Sequence, residues 1–199
     1  MLPLELPPCG SRFVIFREPA AAHPASAASN ETKFSPLQEL AVAWSVKFDT
    51  NWGGPESAQF DSLVSWTERA EQGIKFYSGT ATYAKTFDYK TENRKQKAEI
   101  FLDLGNVHEL AEVRVNGKSC GITWSPPFRV DITAALKPGA NSLEVDVVNF
   151  WPNRIIGDAS LPKEQRRTRT NIRKLTAKTP LITSGLLGPV RLMEAERAP

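Results

Sequence analysis

Hydrophobic and polar residues alternate along most of the chain from residue 38 onward. The first alternating run covers residues 39–48. Its apolar positions are Leu40, Val42, Trp44, Val46 and Phe48. Because successive side chains of a β-strand point to opposite faces, this spacing predicts a strand with one buried face.

The same alternation predicts further strands later in the chain. They cover residues 80–89, 98–104, 112–115, 128–132 and 143–147, and residues 188–193 close the series. Asn116-Gly117 directly follows one strand and is a strong signal for a two-residue hairpin turn. Helical patterns are short, and the best of them lies within residues 57–70. Since no strands alternate with long helices, we predict an all-β fold, an antiparallel β-sandwich.

The N-terminal part reads differently. Residues 11–17 form an apolar run that predicts a strand, whereas residues 18–37 are rich in Ala, Pro and Ser and predict a linker. A strand needs a sheet to pair with. We therefore interpret residues 1–17 as the strand remnant of a preceding β-domain and expect it either to pair with a sheet edge or to mediate self-association. We predict that the sandwich domain covers residues 38–199.

Charge and hydropathy limit the classes of partner. The net charge is +3 and the two signs are interleaved, which does not favour a nucleic-acid or membrane partner. The basic segment 163–178 is either a solvated loop or a patch for an anionic ligand. The sequence has no apolar run of about 18 residues, so it predicts no membrane-spanning helix. Residues 1–8 lack the features of a signal peptide. The localisation stays open.

Cysteine and histidine usage predicts no transition-metal site. Cys9 and Cys120 allow one disulfide or two free thiols, and both alternatives stay open. His23 and His108 are far apart and lack matched ligand spacing. We predict no cofactor, while a structural calcium ion stays open without a recognisable ligand loop.

Several motifs follow one another in a characteristic order. They are residues 77–87 (YSGTATYAKTF), 102–105 (LDLG), 111–117 (AEVRVNG), 124–133 (WSPPFRVDIT) and 139–145 (GANSLEV). This order resembles the sugar-binding jelly-roll domain of glycoside hydrolase family 2. Residues 149–158 (NFWPNRIIGD) and 184–190 (SGLLGPV) resemble still more closely the C-terminal domain of family 106-like α-L-rhamnosidases.

The resemblance covers residues 38–193 and implies both fold and function. It implies a galactose-binding-like jelly roll that serves a glycoside hydrolase as its carbohydrate-binding accessory domain. In those families a separate barrel carries the catalytic carboxyl groups, so we expect this domain to bind a carbohydrate ligand rather than cleave it.

The candidate ligand contacts concentrate after the strand at 143–147. Sugar recognition calls for an aromatic platform beside planar hydrogen-bonding groups. The predicted contacts are Asn149, Trp151, Asn153, Arg154 and Asp158, with Trp124, Trp52 and Tyr77 as further candidates. In the alternative interpretation the tryptophans close the ends of the sandwich core, and Arg154 and Asp158 form a structural ion pair.

Two other functions stay open. A small stand-alone glycosidase needs two carboxyl groups about 5 to 5.5 Å apart for retention or about 6.5 to 9.5 Å apart for inversion. Asp158 is the catalytic candidate, and Asp61 and Glu71 are other carboxylates outside the predicted strands. A structural domain that only packs against another domain would instead expose apolar surface.

Overall fold

The computed structural model describes residues 32–41, 43–90, 98–171 and 174–197, together with Leu6, Gly10, Ser11, Phe13 and Ile15. The strands of this part are β1 (Thr32–Glu39), β2 (Trp44–Phe48), β3 (Ser57–Phe60), β4 (Thr80–Tyr89), β5 (Glu99–Asp103), β6 (Asn106–His108), β7 (Leu110–Val115), β8 (Lys118–Thr123), β9 (Arg129–Asp131), β10 (Gly139–Val148), β11 (Gly185–Gly188) and β12 (Arg191–Arg197). The α-helices are α1 (Gln72–Lys75) and α2 (Pro152–Ala159), and 3-10 turns lie at Thr50–Trp52, Trp66–Glu68 and Lys163–Gln165.

The strands form two large sheets and one small one. The larger sheet has the order β3-β2-β4-β10-β7-β8, the second has the order β1-β12-β5-β9, and β11 pairs with β6. The strand pairs are antiparallel. The predicted all-β antiparallel sandwich is confirmed.

Alternating residues of both large sheets fill one core. The six-stranded sheet contributes Val46, Tyr83, Val113, Val115, Val145 and Val147, and the four-stranded sheet contributes Ile100, Leu102, Val130 and Leu192. Each fully buried aliphatic side chain stabilises the fold by about 1.5 to 3 kcal/mol relative to its exposed form. The alternation seen in the sequence is therefore the inward and outward alternation of a sandwich.

Buried hydrogen bonds join Tyr83 of β4 to Trp66 and to Leu186. The Trp66 indole N–H donates to the Tyr83 hydroxyl at 2.6 Å, and the backbone N–H of Leu186 donates to the same oxygen at 3.2 Å. Burial raises the pKa of Tyr83 to about 12, although the two hydrogen bonds oppose this rise. Both donors are thus satisfied without water.

We expect the free energy of unfolding to fall by about 2 to 3 kcal/mol as the pH rises from about 10 to about 12. Tyr83 holds its proton more tightly in the folded state, so the unfolded state loses a proton first and gains stability over this pH range. Urea unfolding at a series of pH values checks this expectation. Tyr83→Phe should reduce the slope, and Tyr77 and Cys120, whose pKa values burial also raises, contribute to the remainder. An unchanged slope in that variant would assign it entirely to other groups.

The strand predicted over residues 39–48 is two strands. β1 ends at Glu39 and lies in the four-stranded sheet, whereas β2 starts at Trp44 and lies in the six-stranded sheet. Ala43 has a φ of 44° where the chain changes sheets. Leu40 and Trp44 are both buried in the shared core. The inner faces of both sheets meet at this break, so the apolar alternation of the sequence continues from β1 into β2. Val42 lies outside the described residues.

The predicted linker 18–37 ends earlier than expected. β1 starts at Thr32 and pairs with β12, so residues 32–37 belong to the sandwich and the domain boundary predicted at 38 moves upstream. Phe34 packs edge-on against Phe101 at 5.3 Å, and the Arg129 guanidinium lies 4.4 Å from its ring centre. The prediction depended on an apolar alternation. This edge strand lacks it and carries one aromatic residue instead.

The helix predicted within residues 57–70 is not formed. Ser57–Phe60 is strand β3, paired with β2, and only the 3-10 turn at Trp66–Glu68 is helical in this range. Phe60 and Trp66 are both buried in the core. The i, i+3 and i+4 spacing of Phe60, Leu63 and Val64 is typical of one helical face, but the chain turns between Phe60 and Trp66 instead of forming a helix.

The hairpin predicted at Asn116-Gly117 is confirmed. This pair joins β7 to β8, with φ values of 52° and 76°. Positive φ at both central residues is what a type I′ turn requires.

The strand predicted at 11–17 lies largely outside the described residues; Phe13 and Ile15 are described, and both side chains are exposed. Among the described helices, none has the length and apolar character needed to cross a membrane.

Candidate functional site

Three candidate residues, all tryptophans, lie at one end of the six-stranded sheet. The register pairs Phe48 with Ala81, Val148 with both Thr80 and Leu110, and Ala111 with Thr123. The last residues of β2, β10 and β8 therefore lie at the same end of the sheet as the first residues of β4 and β7. We call this the loop end of the sheet. Strands lie about 4.8 Å apart, so β2 and β8 are about 19 Å apart across four intervals.

Three tryptophans lie at the loop end with their rings exposed. Trp52 follows β2, Trp151 follows β10 and Trp124 follows β8, and these side chains are 45%, 75% and 73% exposed. Trp is usually buried, and Trp44 and Trp66 are buried here. The exposure of Trp124 and Trp151 excludes the interpretation in which they close the core. Flat rings at one sheet end are available for stacking.

The segment that leads into β4 holds the Trp151 backbone in place. The Ser78 hydroxyl donates to the carbonyl oxygens of Phe150 at 2.9 Å and of Trp151 at 3.3 Å. It also accepts the backbone N–H of Arg154 at 3.1 Å. Pro152 stands at the first position of α2, where its missing N–H is not needed. The exposed ring of Trp151 thus projects from a fixed backbone.

Asn149 and Asn153 are used inside the domain. Both are buried, and both donate to the Ser184 hydroxyl at 3.0 Å. Asn149 also donates to the Tyr77 carbonyl and accepts from the Gly79 N–H, while Asn153 binds the backbone of Ile182 through both amide atoms. In place of the predicted ligand contacts, these amides fix α2 against the segment that precedes β11.

Tyr77 is also an internal residue. Its side chain is fully buried, and its hydroxyl donates to the Thr80 carbonyl at 2.8 Å and accepts the Asp49 N–H at 3.0 Å. Burial raises its pKa. The structure therefore places Tyr77 beneath the loop end and not on its surface, because its ring packs against Phe48 and Trp66.

Arg154 and Asp158 form a buried ion pair on α2. Arg154 Nε lies 3.1 Å from Asp158 Oδ1, and the two side chains are 9% and 3% exposed. The pair has the i, i+4 spacing that brings side chains together on one helix face. Burial lowers the pKa of Arg154, Asp158 opposes this change, and the nearby charge of Arg167 adds to it. This is the structural ion pair of the alternative interpretation.

The second oxygen of Asp158 anchors the following loop. Asp158 Oδ2 accepts the Thr168 backbone N–H and the Thr168 hydroxyl, both at 2.7 Å. Both carboxylate oxygens are thus engaged by the domain itself. Glu71 lies in an exposed pair with Arg69, which lowers its pKa, whereas a general acid needs a raised one. These contacts favour a structural role for Asp158.

Beside this ion pair lies an open cleft of about 770 Å³ between α2 and the loop that follows it. Its lining residues are Ile155, Asp158, Ala159, Lys163, Glu164, Arg166, Thr168, Arg169, Thr170 and Leu175. Trp151 precedes Ile155 by four residues and Ala159 by eight, so helical spacing places it on the same face of α2. Of the basic segment 163–178, the cations Lys163, Arg166 and Arg169 border this cavity, which the sequence alone does not show.

The described residues contain no cluster of three or more His, Cys, Asp or Glu placed to hold a metal ion. Cys120 is half-buried, and burial raises the pKa of its thiol; Cys9 lies outside the described residues.

Comparison with known proteins identifies the domain. The sequence model of the glycosyl hydrolase 2 galactose-binding domain-like family matches residues 61–179, which is more than half of the chain. The chain belongs to this family. The resemblance to sugar-binding jelly-roll domains of glycoside hydrolases is confirmed.

Relatives and solved structures support this assignment. A Formosa agariphila protein named "Putative beta-glucuronidase" is 39% identical, and the match covers 77% of this chain and 15% of that protein. The rhamnosidase from Novosphingobium sp. PP1Y is 38% identical with a TM-score of 0.80, over 88% of this chain and 16% of that chain. This galactose-binding-like domain therefore spans only a small part of either relative's length.

A more distant structure shows the fold alone. A β-glucuronidase from Ruminococcus gnavus is 22% identical with a TM-score of 0.55, over 86% of this chain and 30% of that chain. The predicted class, a galactose-binding-like accessory domain of glycoside hydrolases, is confirmed by the family and the two closer relatives.

Proposed function

We propose that this domain binds carbohydrate at the loop end of the six-stranded sheet, as an accessory domain of a glycoside hydrolase. The observation that carries the proposal is the exposure of Trp52, Trp124 and Trp151 at one end of the sheet. An indole ring offers a flat apolar face to the C–H groups of a sugar and an N–H group for hydrogen bonding. Family membership supports this function but names no sugar.

The buried residues support this surface from below. Asn149, Asn153 and Ser184 fix the start of α2, and Ser78 holds the backbone beside Trp151. Preorganised rings lose little conformational freedom on binding, which favours affinity. We therefore regard these polar residues as positioning residues and the three tryptophans as the ligand contacts.

We expect Trp124→Ala and Trp151→Ala each to weaken glycan binding about five- to tenfold, which corresponds to about 1 to 1.4 kcal/mol. The melting temperature should change little because both rings are exposed. A glycan array on the purified chain would supply the ligand, and isothermal titration calorimetry would measure its affinity.

Ile122→Ala is the matched control. Ile122 is 59% exposed and precedes Trp124 by two residues, so the variant removes apolar area without removing a ring. Its affinity should equal that of the unsubstituted chain. Full affinity in all three tryptophan variants, Trp52→Ala included, would contradict the proposed surface.

A further inference from the structure

The cleft beside α2 has the size of a ligand site. Its volume of about 770 Å³ lies within the range of about 300 to 1,000 Å³ that is typical of small-molecule sites. Ile155, Ala159 and Leu175 form the apolar part of its wall, and Thr168 and Thr170 line the same space. An apolar wall beside hydroxyl groups suits a sugar ring.

Positive charge dominates this cleft. Its lining includes Lys163, Arg166 and Arg169 together with Asp158 and Glu164, which is three cations against two carboxylates. Asp158 is already paired with Arg154, so three cations remain against one carboxylate. Within the described part of the chain, no salt bridge engages any of the three cations.

The loop that carries these cations is held at several points. The backbone N–H of Leu161 donates to the Asp158 carbonyl at 2.9 Å, and Thr168 is bound to the Asp158 carboxylate. Arg166 Nε donates to the Leu161 carbonyl, and Arg167 donates to the Asn51 carbonyl, both at 2.8 Å. Like charges are therefore held near one another although they repel.

From this arrangement we infer that the cleft binds the anionic group of a charged glycan, a carboxylate or a sulfate ester. Guanidinium and ammonium groups form strong charge-assisted hydrogen bonds with such oxygens. The apolar wall would contact the sugar ring that carries the anion. The inference rests on the proposed function and specifies the ligand class: a glycan with acidic sugars that binds both the cleft and the neighbouring tryptophans.

The test compares charged and uncharged forms of the same oligosaccharides. Calorimetry on the full chain would use oligogalacturonate and its carboxyl-reduced product, then a sulfated galactan oligosaccharide and its desulfated product. The two pairs distinguish a carboxylate from a sulfate. Inorganic sulfate and oligo-dT, a single-stranded oligonucleotide, complete the set of probes.

The key variant is Lys163→Gln/Arg169→Gln, which removes two exposed cations from the cleft. The matched control is Lys90→Gln/Lys137→Gln, which removes two exposed charges from the opposite end of the six-stranded sheet, next to Tyr89 and Gly139. We expect at least one charged oligosaccharide to bind ten times or more tightly than its uncharged form. The cleft variant should abolish that difference, and the control should retain it.

The outcomes separate the two proposals. Equal binding of charged and uncharged oligosaccharides, or equal losses in cleft variant and control, would overturn the anionic site but leave the carbohydrate proposal intact. Displacement of the oligosaccharide by equimolar inorganic sulfate, or equally tight binding of oligo-dT, would also overturn it, because the cleft would then select charge alone. A chain that binds none of these probes and no glycan on an array would overturn both.

Discussion

Asp158→Asn is expected to lower the free energy of unfolding by about 3 to 5 kcal/mol. The substitution keeps the size of the side chain but leaves the Arg154 guanidinium buried without its counter-charge. Removal of one partner of a buried pair is costly because the other charge cannot regain water. Urea unfolding followed by tryptophan fluorescence measures the change.

Two further variants test the cause. Arg154→Met in the Asp158→Asn background removes the unpaired charge, and we expect it to recover most of the lost stability. Glu71→Gln breaks the exposed pair with Arg69 and should cost less than about 1 kcal/mol. A stable Asp158→Asn variant would contradict the structural role of the pair and return Asp158 to the list of catalytic candidates.

Tyr83→Phe is expected to lower the free energy of unfolding by about 2 to 4 kcal/mol. The variant leaves two buried donors, the Trp66 indole N–H and the Leu186 backbone N–H, without their common acceptor. Each unsatisfied buried donor costs about 1 to 3 kcal/mol. Chemical denaturation at pH 7 measures the loss, where the tyrosine is protonated in both states.

A double variant separates hydrogen bonding from packing. Trp66→Phe removes one of the two donors, so its cost in the Tyr83→Phe background should be smaller than its cost in the unsubstituted chain. Additive costs would show that the hydroxyl does not act through Trp66. The Tyr83→Phe variant also serves the alkaline measurement, since it lacks the group whose ionisation lowers stability at high pH.

The candidate site shows a limit of reasoning from local sequence. Residues 149–158 combine aromatic, amide and charged side chains in the way a sugar site does, and the segment does lie at the loop end. Helix formation from Pro152 to Ala159 then rotates successive side chains around an axis. Trp151 stays exposed, while Asn153, Arg154 and Asp158 turn inward. Composition alone does not distinguish these directions.

The sequence by itself determined the class of fold and the family. Alternation at period two is a local property of a strand, so β4, β5, β7 and β10 could be predicted from their own residues, as could the turn at Asn116-Gly117. The motif order resembles that of sugar-binding jelly-roll domains, and the family match bears out this resemblance.

Only the tertiary structure decided which residues meet. Trp52, Trp124 and Trp151 are far apart in the chain, and antiparallel register brings their loops to one end of one sheet. The break between β1 and β2 was hidden because two facing sheets share one core, so the apolar alternation continues across it. Likewise, cations of the basic segment border a cleft because Thr168 is bound to Asp158 on α2. Pairing between distant segments depends on the arrangement of the whole sheet, which no local pattern encodes.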